Sequence, residues 1–172
     1  MEKVTVRAVT ASKNQAKITL HGVPDKPGIA SRIFKRIAGE DINIDMIAQS
    51  LGDGGKSNIS FTVLGEDLKR TLAVLGKVSK KIDAEGLSSD EGVAKVSVVG
   101  LGMRTHSGIA AKMFSALADE NINIEMISTS EIKISCIIES KLADKAVKAL
   151  HKKFGLGKQM RARRKKKGEE KK

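Results

Sequence analysis

The sequence contains the same segment twice, 80 residues apart. Between Gly28 and Ser50, twelve of 23 residues are identical to the residues 80 positions later. A further match joins residues 16–20 to residues 94–98 at a spacing of 78. Agreement over this length does not arise by chance, so the chain holds two copies of one module, and this limits the folds it can adopt.

The first copy predicts elements in the order β-α-β-β-α-β. Apolar residues alternate in three segments and more weakly in a fourth, which predicts strands at 16–23, 42–46, 59–63 and 85–92. Apolar residues at helical spacing predict helices over 29–37 and 68–82. The run Asp53–Gly55 predicts a tight turn between the second and third strands. This order is typical of a ferredoxin-like α+β fold, in which the helices cover one face of an antiparallel sheet.

The second copy lacks a fourth strand of its own. Its pattern predicts strands at 96–100, 122–126 and 132–138 and helices over 109–117 and 142–154. The strongly basic segment that follows cannot form a buried strand, whereas the alternating N-terminal residues 3–9 are not needed by the first copy. We therefore predict that the N-terminal strand completes the second domain and that the first domain is nested within it. The predicted domains are 15–92, 1–14 plus 93–156, and a basic disordered tail, 157–172.

The basic charge of the chain is concentrated in that tail. The formal net charge is +12, and residues 157–172 carry nine Lys or Arg against two Glu. Such a run is typical of a solvated, disordered segment, although it also suits polyanion binding by counterion release. Because the chain has no Trp or Tyr, it lacks the usual platforms for stacking bases, and a nucleic-acid partner is not expected.

No catalytic or metal-binding motif is evident. His21, His106 and His151 are far apart and have no Cys or carboxylate cluster beside them, so we expect neither a metal nor a catalytic residue. Cys136 shares a predicted strand face with Ile134 and Ile138, which favours a core role over a nucleophilic one. No apolar run approaches the ~18 residues of a membrane span, and the N-terminus is unlike a signal peptide. We expect a cytoplasmic protein.

The loop before the first helix of each module is the best candidate for a binding site. A helix N-terminus offers unpaired backbone N–H groups to a carboxylate. Gly28 and Gly108 serve either turn geometry alone or the close approach of a ligand, and the sequence leaves both interpretations open. Each second strand carries an Asn followed two residues later by an acid, which suits a zwitterion. The helix would take the carboxylate and Asp25, Asp45 or Glu125 the ammonium; otherwise these carboxylates simply face solvent.

Four segments resemble the regulatory part of aspartate kinase, a tandem of ACT domains: residues 17–28, 43–47, 95–104 and 127–135. The resemblance spans roughly residues 3–156, and this family also nests its first ACT domain in the second. It implies allosteric feedback by threonine, lysine or both in aspartate-family amino-acid biosynthesis. It also implies a homodimer through the ACT domains, a catalytic subunit as partner, or both. ATP and Mg would belong to that catalytic subunit, and no cofactor is expected in this chain.

The same resemblance implies two sets of effector-binding residues. The first set is Asp25, Lys26, Pro27, Gly28, Ile29, Ala30, Asn43, Ile44, Asp45 and Gln49. The second set is Ile109, Ala110, Asn123, Ile124, Glu125, Thr129 and Ser130. The sequence departs from the family pattern at Ser107, where a Pro is expected, and the basic tail has no counterpart in that pattern.

Three functions remain open from the sequence. The first is a regulatory, beta-type subunit of aspartate kinase with no active site of its own. The second is a stand-alone ACT amino-acid sensor that acts on another partner. The third is a polyanion-binding protein that uses the basic tail.

Overall fold

The computed structural model describes residues 5–101 and 108–156 of the 172-residue chain. Within these residues, six strands and four α-helices follow one another, with short 3-10 helices at Gly65–Asp67 and Ser140–Leu142. The elements are β1 (Thr5–Pro24), α1 (Ile29–Ala38), β2 (Ile47–Leu51), β3 (Lys56–Val63), α2 (Leu68–Lys81), β4 (Gly86–Leu101), α3 (Ile109–Ala118), β5 (Met126–Thr129), β6 (Lys133–Glu139) and α4 (Ala143–Lys153).

The chain divides into two compact units. The first is residues 13–94, and the second contains the described residues 5–12, 95–101 and 108–156. The strand order is β2-β3-β1-β4 in the first unit and β1-β4-β6-β5 in the second. Both orders are those of a ferredoxin-like sheet, which confirms the predicted fold class. The unit bounds differ by two residues from the predicted domain bounds, 15–92 and 1–14 plus 93–156, and the division into separate functional domains stays a prediction.

Two strands are longer than the sequence pattern indicates. The strands predicted at 3–9 and 16–23 form one strand, β1, over its described residues, and those at 85–92 and 96–100 form one strand, β4. Each unit thus receives one part of β1 and one part of β4. No proline lies in residues 10–16 or 92–96, so backbone hydrogen bonding can continue along each strand.

The prediction of second strands at 42–46 and 122–126 was wrong. The strands are β2 and β5, which start at Ile47 and Met126. Ile42 instead closes the end of α1, where its N–H donates to the carbonyl of Ile37 and Asp41 has a φ of 54°. This is the Schellman arrangement, in which an apolar residue packs back on the helix it follows. Ile122 ends α3 in the same way, with its N–H on the Leu117 carbonyl at 2.9 Å.

The core of the first unit lies between its two helices and one face of the sheet. Ile18, Leu20 and Phe61 from the strands are fully buried with Ile37 and Leu75 from the helices. Burial of each such side chain stabilises the fold by roughly 1.5–3 kcal/mol. The Phe34 ring packs edge-on against Phe61, with ring centroids 5.6 Å apart. Both helices therefore cover the same face, as the sequence pattern predicts.

The second unit repeats this packing with smaller side chains. Val96, Met113, Leu117, Cys136 and Leu150 are fully buried in its core. On the opposite face of each sheet, a pair of hydroxyl groups joins neighbouring strands. These pairs are Thr19 with Ser60, at 2.8 Å, and Ser97 with Ser135, at 2.7 Å. The duplicated sequence thus gives duplicated contacts on both faces of the sheet.

Candidate functional site

The loop between β1 and α1 forms a tight turn that presents the start of the helix. Gly28 has φ 89° and ψ −10°, and the Ile29 N–H donates to the carbonyl of Lys26 at 3.3 Å. These angles are those of the third position of a type II turn, with Pro27 at the second position. A type II turn needs a positive φ at that position, which glycine adopts without strain. Turn geometry is therefore sufficient to explain Gly28.

The first turn of α1 has no side-chain cap. The first intrahelical bond joins the N–H of Arg32 to the carbonyl of Gly28 at 3.0 Å, so the N–H groups of Ala30 and Ser31 have no partner within the helix, while that of Ile29 closes the turn. No acidic residue lies in this turn to offset the positive end of the helix dipole. The helix start is thus suited to a small anionic group such as a carboxylate.

A cleft of about 470 Å³ opens beside this helix start. Strands β2 and β3 supply its other wall, where Gln49 lies opposite Ile59 in the register. The Gln49 amide nitrogen donates to the Ser57 hydroxyl at 3.2 Å, and the Asp25 N–H donates to the Gly55 carbonyl at 2.8 Å. The residues that line the cleft are Val23, Pro24, Asp25, Lys26, Pro27, Gly28, Ile29, Ala30, Gln49, Ser57 and Ile59.

The cleft brings together seven of the ten residues in the first predicted set. Asn43, Ile44 and Asp45 do not line it, because they lie in the connection before β2. Ile44 packs against the core, and the Asp45 N–H donates to the Thr62 carbonyl at 3.1 Å. Val23, Pro24, Ser57 and Ile59 line the cleft without having been predicted. The predicted turn at Asp53–Gly55 could have indicated Ser57 and Ile59, because the turn sets the register of β2 and β3 and thus which β3 residues lie near Gln49.

The second copy keeps the same helix start. Gly108 has φ 96° and ψ −7°, and α3 also begins without a side-chain cap. The glycine thus adopts the same conformation even though Ser107 replaces the proline in the sequence. Residues 102–107, with the predicted loop Thr105–Ser107 and His106, lie outside the described residues. The basic tail, 157–172, and the start of the N-terminal strand, residues 3 and 4, lie outside them as well.

The residues of the second set are spread over the start of α3 and the β5 region. Ile109 is buried in the core and Ala110 is half-buried. Asn123, Ile124 and Glu125 form the connection before β5, where the Glu125 N–H donates to the Ile137 carbonyl at 2.9 Å. Thr129 and Ser130 are exposed at the end of β5. Each of these residues lies 80 positions after its counterpart in the first copy.

The described residues bear on the sequence expectations for the cysteine, for metal ligands and for membrane helices. Burial raises the pKa of the Cys136 thiol to about 12, so the residue stays protonated and unreactive at neutral pH. No group of three His, Cys, Asp or Glu in residues 5–101 and 108–156 could hold a metal ion. No helix in these ranges combines the length and apolar character that a membrane crossing requires.

Comparison with known proteins gives consistent matches. The family model of the ACT domain matches residues 18–78 and 96–154. The chain is 44% identical over 156 residues to an aspartate kinase of Stutzerimonas stutzeri and 46% identical over 151 residues to an aspartokinase of Helicobacter pylori. These alignments cover 91% and 88% of this chain but only 38% and 37% of the relatives. The chain thus spans less than two fifths of the length of these curated relatives.

Two solved structures match over nearly their whole length. One is a chain from the crystal structure of aspartokinase alpha and beta subunits, with 48% identity and a TM-score of 0.82. The alignment covers 88% of this chain and 100% of that chain. The other is the ligand-free regulatory subunit of aspartate kinase from Thermus thermophilus, with 38% identity, a TM-score of 0.82, and coverage of 87% and 99%. The chain therefore belongs to the ACT domain family, as a tandem-ACT regulatory region of the aspartate kinase type.

Proposed function

We propose that this chain binds L-threonine, L-lysine or both and thereby controls the activity of an aspartate kinase catalytic part. The observation that carries the proposal is the cleft at the start of α1, in a chain whose fold is that of aspartate kinase regulatory subunits. The cleft joins an uncapped helix start to a carboxylate and an amide, which are the groups that an amino acid needs. A cleft of about 470 Å³ lies within the usual range for small-molecule sites, roughly 300–1,000 Å³.

The effector carboxylate would accept hydrogen bonds from the first N–H groups of α1. Asp25 would pair with its ammonium group, because this carboxylate lines the same cleft. Gln49 and Ser57 already form a hydrogen bond on the opposite wall and would contact the effector side chain. Val23 and Ile59 lie beside them and would pack against its methyl or methylene groups. In the second copy, we propose the corresponding contacts at Ile109, Ala110, Asn123, Ile124, Glu125, Thr129 and Ser130.

The edge of the sheet beside the cleft supports a second copy as partner. β2 is an outer strand that pairs with β3, and it carries both Gln49 and the apolar side chains Ile47 and Leu51. These two side chains are 51% and 77% exposed. Outer strands with apolar side chains pair readily with another chain. A homodimer through this edge would cover the cleft, and Asn43, Ile44 and Asp45 would contact the effector only in that assembly.

The catalytic part completes the proposal. ATP and Mg would bind there, and this chain would need no cofactor to carry an effector signal. We place the protein in the cytoplasm, since its single cysteine is buried and unpaired and the pathway implied by its relatives uses soluble metabolites.

Calorimetric titration of the full chain with L-threonine and L-lysine tests the proposal, with D-threonine as the control ligand. We expect heat of binding with at least one L-amino acid and a rise in the unfolding temperature, because a ligand selective for the folded state stabilises it. The Asp25→Asn variant should bind about tenfold more weakly, a loss of roughly 1.4 kcal/mol. Asp53→Asn is the matched control, since this exposed aspartate of the same unit does not line the cleft.

Two results would refute the proposal. If neither L-threonine nor L-lysine gives heat of binding or a thermal shift, the sensor function is refuted. If Asp25→Asn and Asp53→Asn weaken binding equally, the cleft is not the effector site.

An Asp45→Ala variant tests the dimer. It should weaken effector binding only at protein concentrations where sedimentation shows a dimer.

A further inference from the structure

The two helices of the first unit carry a segregated basic charge. They hold eight basic residues, all exposed, and no acidic one, whereas the eleven acidic residues of the unit lie in its strands, loops and short 3-10 helix. The unit as a whole is nearly neutral, with twelve basic residues in total. The basic residues of the helices are Arg32, Lys35, Arg36, Lys69, Arg70, Lys77, Lys80 and Lys81.

Part of this charge surrounds a groove between the helices, here called the α1–α2 groove. It consists of two adjoining depressions of about 490 and 510 Å³ that share Lys35, Arg36, Val78 and Lys81. Arg32 and Lys77 extend the basic rim at either side. Ala73, Val74, Val78 and Ile82 form an apolar floor between them. Glu40 also lines the groove, so the groove combines an apolar base with margins that are mostly cationic.

Most of the rim has no ion-pair partner within residues 5–101 and 108–156. Arg70 is engaged, since it contacts the Asp67 carboxylate at 3.2 Å and donates to the Glu40 carbonyl at 2.9 Å. No ion pair within the described residues involves Arg32, Lys35, Arg36, Lys77 or Lys81. Clustered like charges repel one another, so a complementary acidic surface would relieve an existing cost.

The second copy shows that the fold does not require this charge. Ser115, Ala116 and Asp119 occupy the positions of Lys35, Arg36 and Gly39. The basic residues of α4 are partly neutralised there, because Lys145 pairs with Glu120 at 3.2 Å and Lys153 with Asp119 at 3.5 Å. Two copies with the same backbone thus differ at this surface, which indicates a role specific to the first copy.

We propose that the α1–α2 groove docks an acidic amphipathic segment of a partner protein. The apolar floor suits the apolar face of such a segment, and the rim cations suit carboxylates along its sides; a helix laid into a groove is a common mode of peptide recognition. A phosphodiester chain would use the cations but leave the floor unused. α2 is about 21 Å long at 1.5 Å per residue, which matches a partner helix of about four turns. The site is separate from the effector cleft, so this inference does not depend on effector binding.

The test uses fluorescence anisotropy with the full chain and a labelled synthetic 14-residue helical peptide. The peptide has Glu on its polar face and Leu and Ala on the other, and a scrambled peptide of the same composition is the control probe. We expect the amphipathic peptide to bind more tightly than the scrambled one. The variant K77E/K81E should weaken its binding by about tenfold or more, because it places like charges against the peptide.

The matched control is K69E/K80E, which makes the same change in charge on the same helix. Lys69 and Lys80 are exposed but do not line the groove, so this variant should bind the peptide within about twofold of the wild type. The basic tail is present in every variant, so any binding of the peptide to the tail is the same for all of them. Titration with L-threonine and circular dichroism confirm in parallel that each variant is folded, and they separate a failure here from a failure of the proposed function.

Three outcomes would overturn the proposal: equal losses for the two double variants, no preference for the amphipathic over the scrambled peptide, or no binding of either peptide. Binding of inorganic polyphosphate or single-stranded DNA at the groove, with weak binding of the peptide, would also overturn it in favour of a polyanion site.

Discussion

Replacing Gly28 with alanine should lower the free energy of unfolding by about 1 kcal/mol. An L-residue at a left-handed conformation costs roughly 1–2 kcal/mol, and Gly28 has a φ of 89°. Alanine offsets about 0.4–1 kcal/mol of this cost because it restricts the conformations of the unfolded chain. The net loss is therefore about 1 kcal/mol. No steric clash adds to this, because a Cβ at Gly28 would meet no atom within 4 Å.

The chain offers a control in which the same substitution has the opposite sign. Gly76 lies inside α2, and a Cβ there also meets no atom within 4 Å. Gly76→Ala should therefore raise the free energy of unfolding by roughly 0.5–1 kcal/mol, since glycine is unfavourable within a helix. Gly108→Ala should repeat the loss seen at Gly28, because Gly108 has a φ of 96°.

Urea unfolding followed by circular dichroism measures all three variants, and a shift in midpoint with an unchanged slope reports stability. Gly28→Ala at or above wild-type stability would refute the reasoning from backbone conformation. L-threonine titration of Gly28→Asn then separates the two roles of the glycine, because asparagine tolerates this turn position. If the glycine serves the turn alone, affinity stays within about threefold of the wild type, or about 0.7 kcal/mol. A larger loss in a folded variant would instead indicate close approach of the ligand.

Two further predictions concern buried side chains. Because the pKa of Cys136 is about 12 in the folded chain and about 8.5 in an unfolded one, only the unfolded state ionises between these values. The free energy of unfolding should therefore fall as the pH rises above about 8.5, by up to about 1.4 kcal/mol per pH unit more than in Cys136→Ala. Urea titrations of both proteins from pH 8 to 10 measure this difference. Parallel pH profiles of the two proteins would contradict the prediction. Ser97→Ala should cost about 1–3 kcal/mol, because it leaves the buried Ser135 hydroxyl without its partner at 2.7 Å. The double variant with Ser135→Ala should regain part of that loss in a double-mutant cycle, and strictly additive losses would argue against the pair.

The helices could be predicted closely from the sequence. The apolar residues of α1, like those of α2, recur at the spacing that places them on one side of a helix, and this spacing predicts an amphipathic helix. The second strands could not be predicted in the same way. Ile42, Ile44 and Met46 alternate as in a strand, yet Ile42 packs on the end of α1, and only the tertiary contact with Ile37 distinguishes the two arrangements. Likewise, residues 10–15 are mostly polar and give no strand pattern, so the joining of the two predicted strands into β1 was not evident from the local sequence.

From the sequence alone, the repeat indicates two copies of one module, the apolar periodicity predicts the order of elements in each, and four segments show the likeness to aspartate kinase regulatory regions. The predicted helix start also identified the loop from Asp25 to Ala30 as the place to expect a ligand. In contrast, it is the folded structure that shows Gln49, Ser57 and Ile59 in one cleft with that loop, while Asn43 to Asp45 do not line it. It also decided that the cations of α1 and α2 surround one groove. The physical reason is that strand register and helix pairing depend on contacts between residues far apart in the chain, whereas periodicity records only which side of its own element a residue occupies.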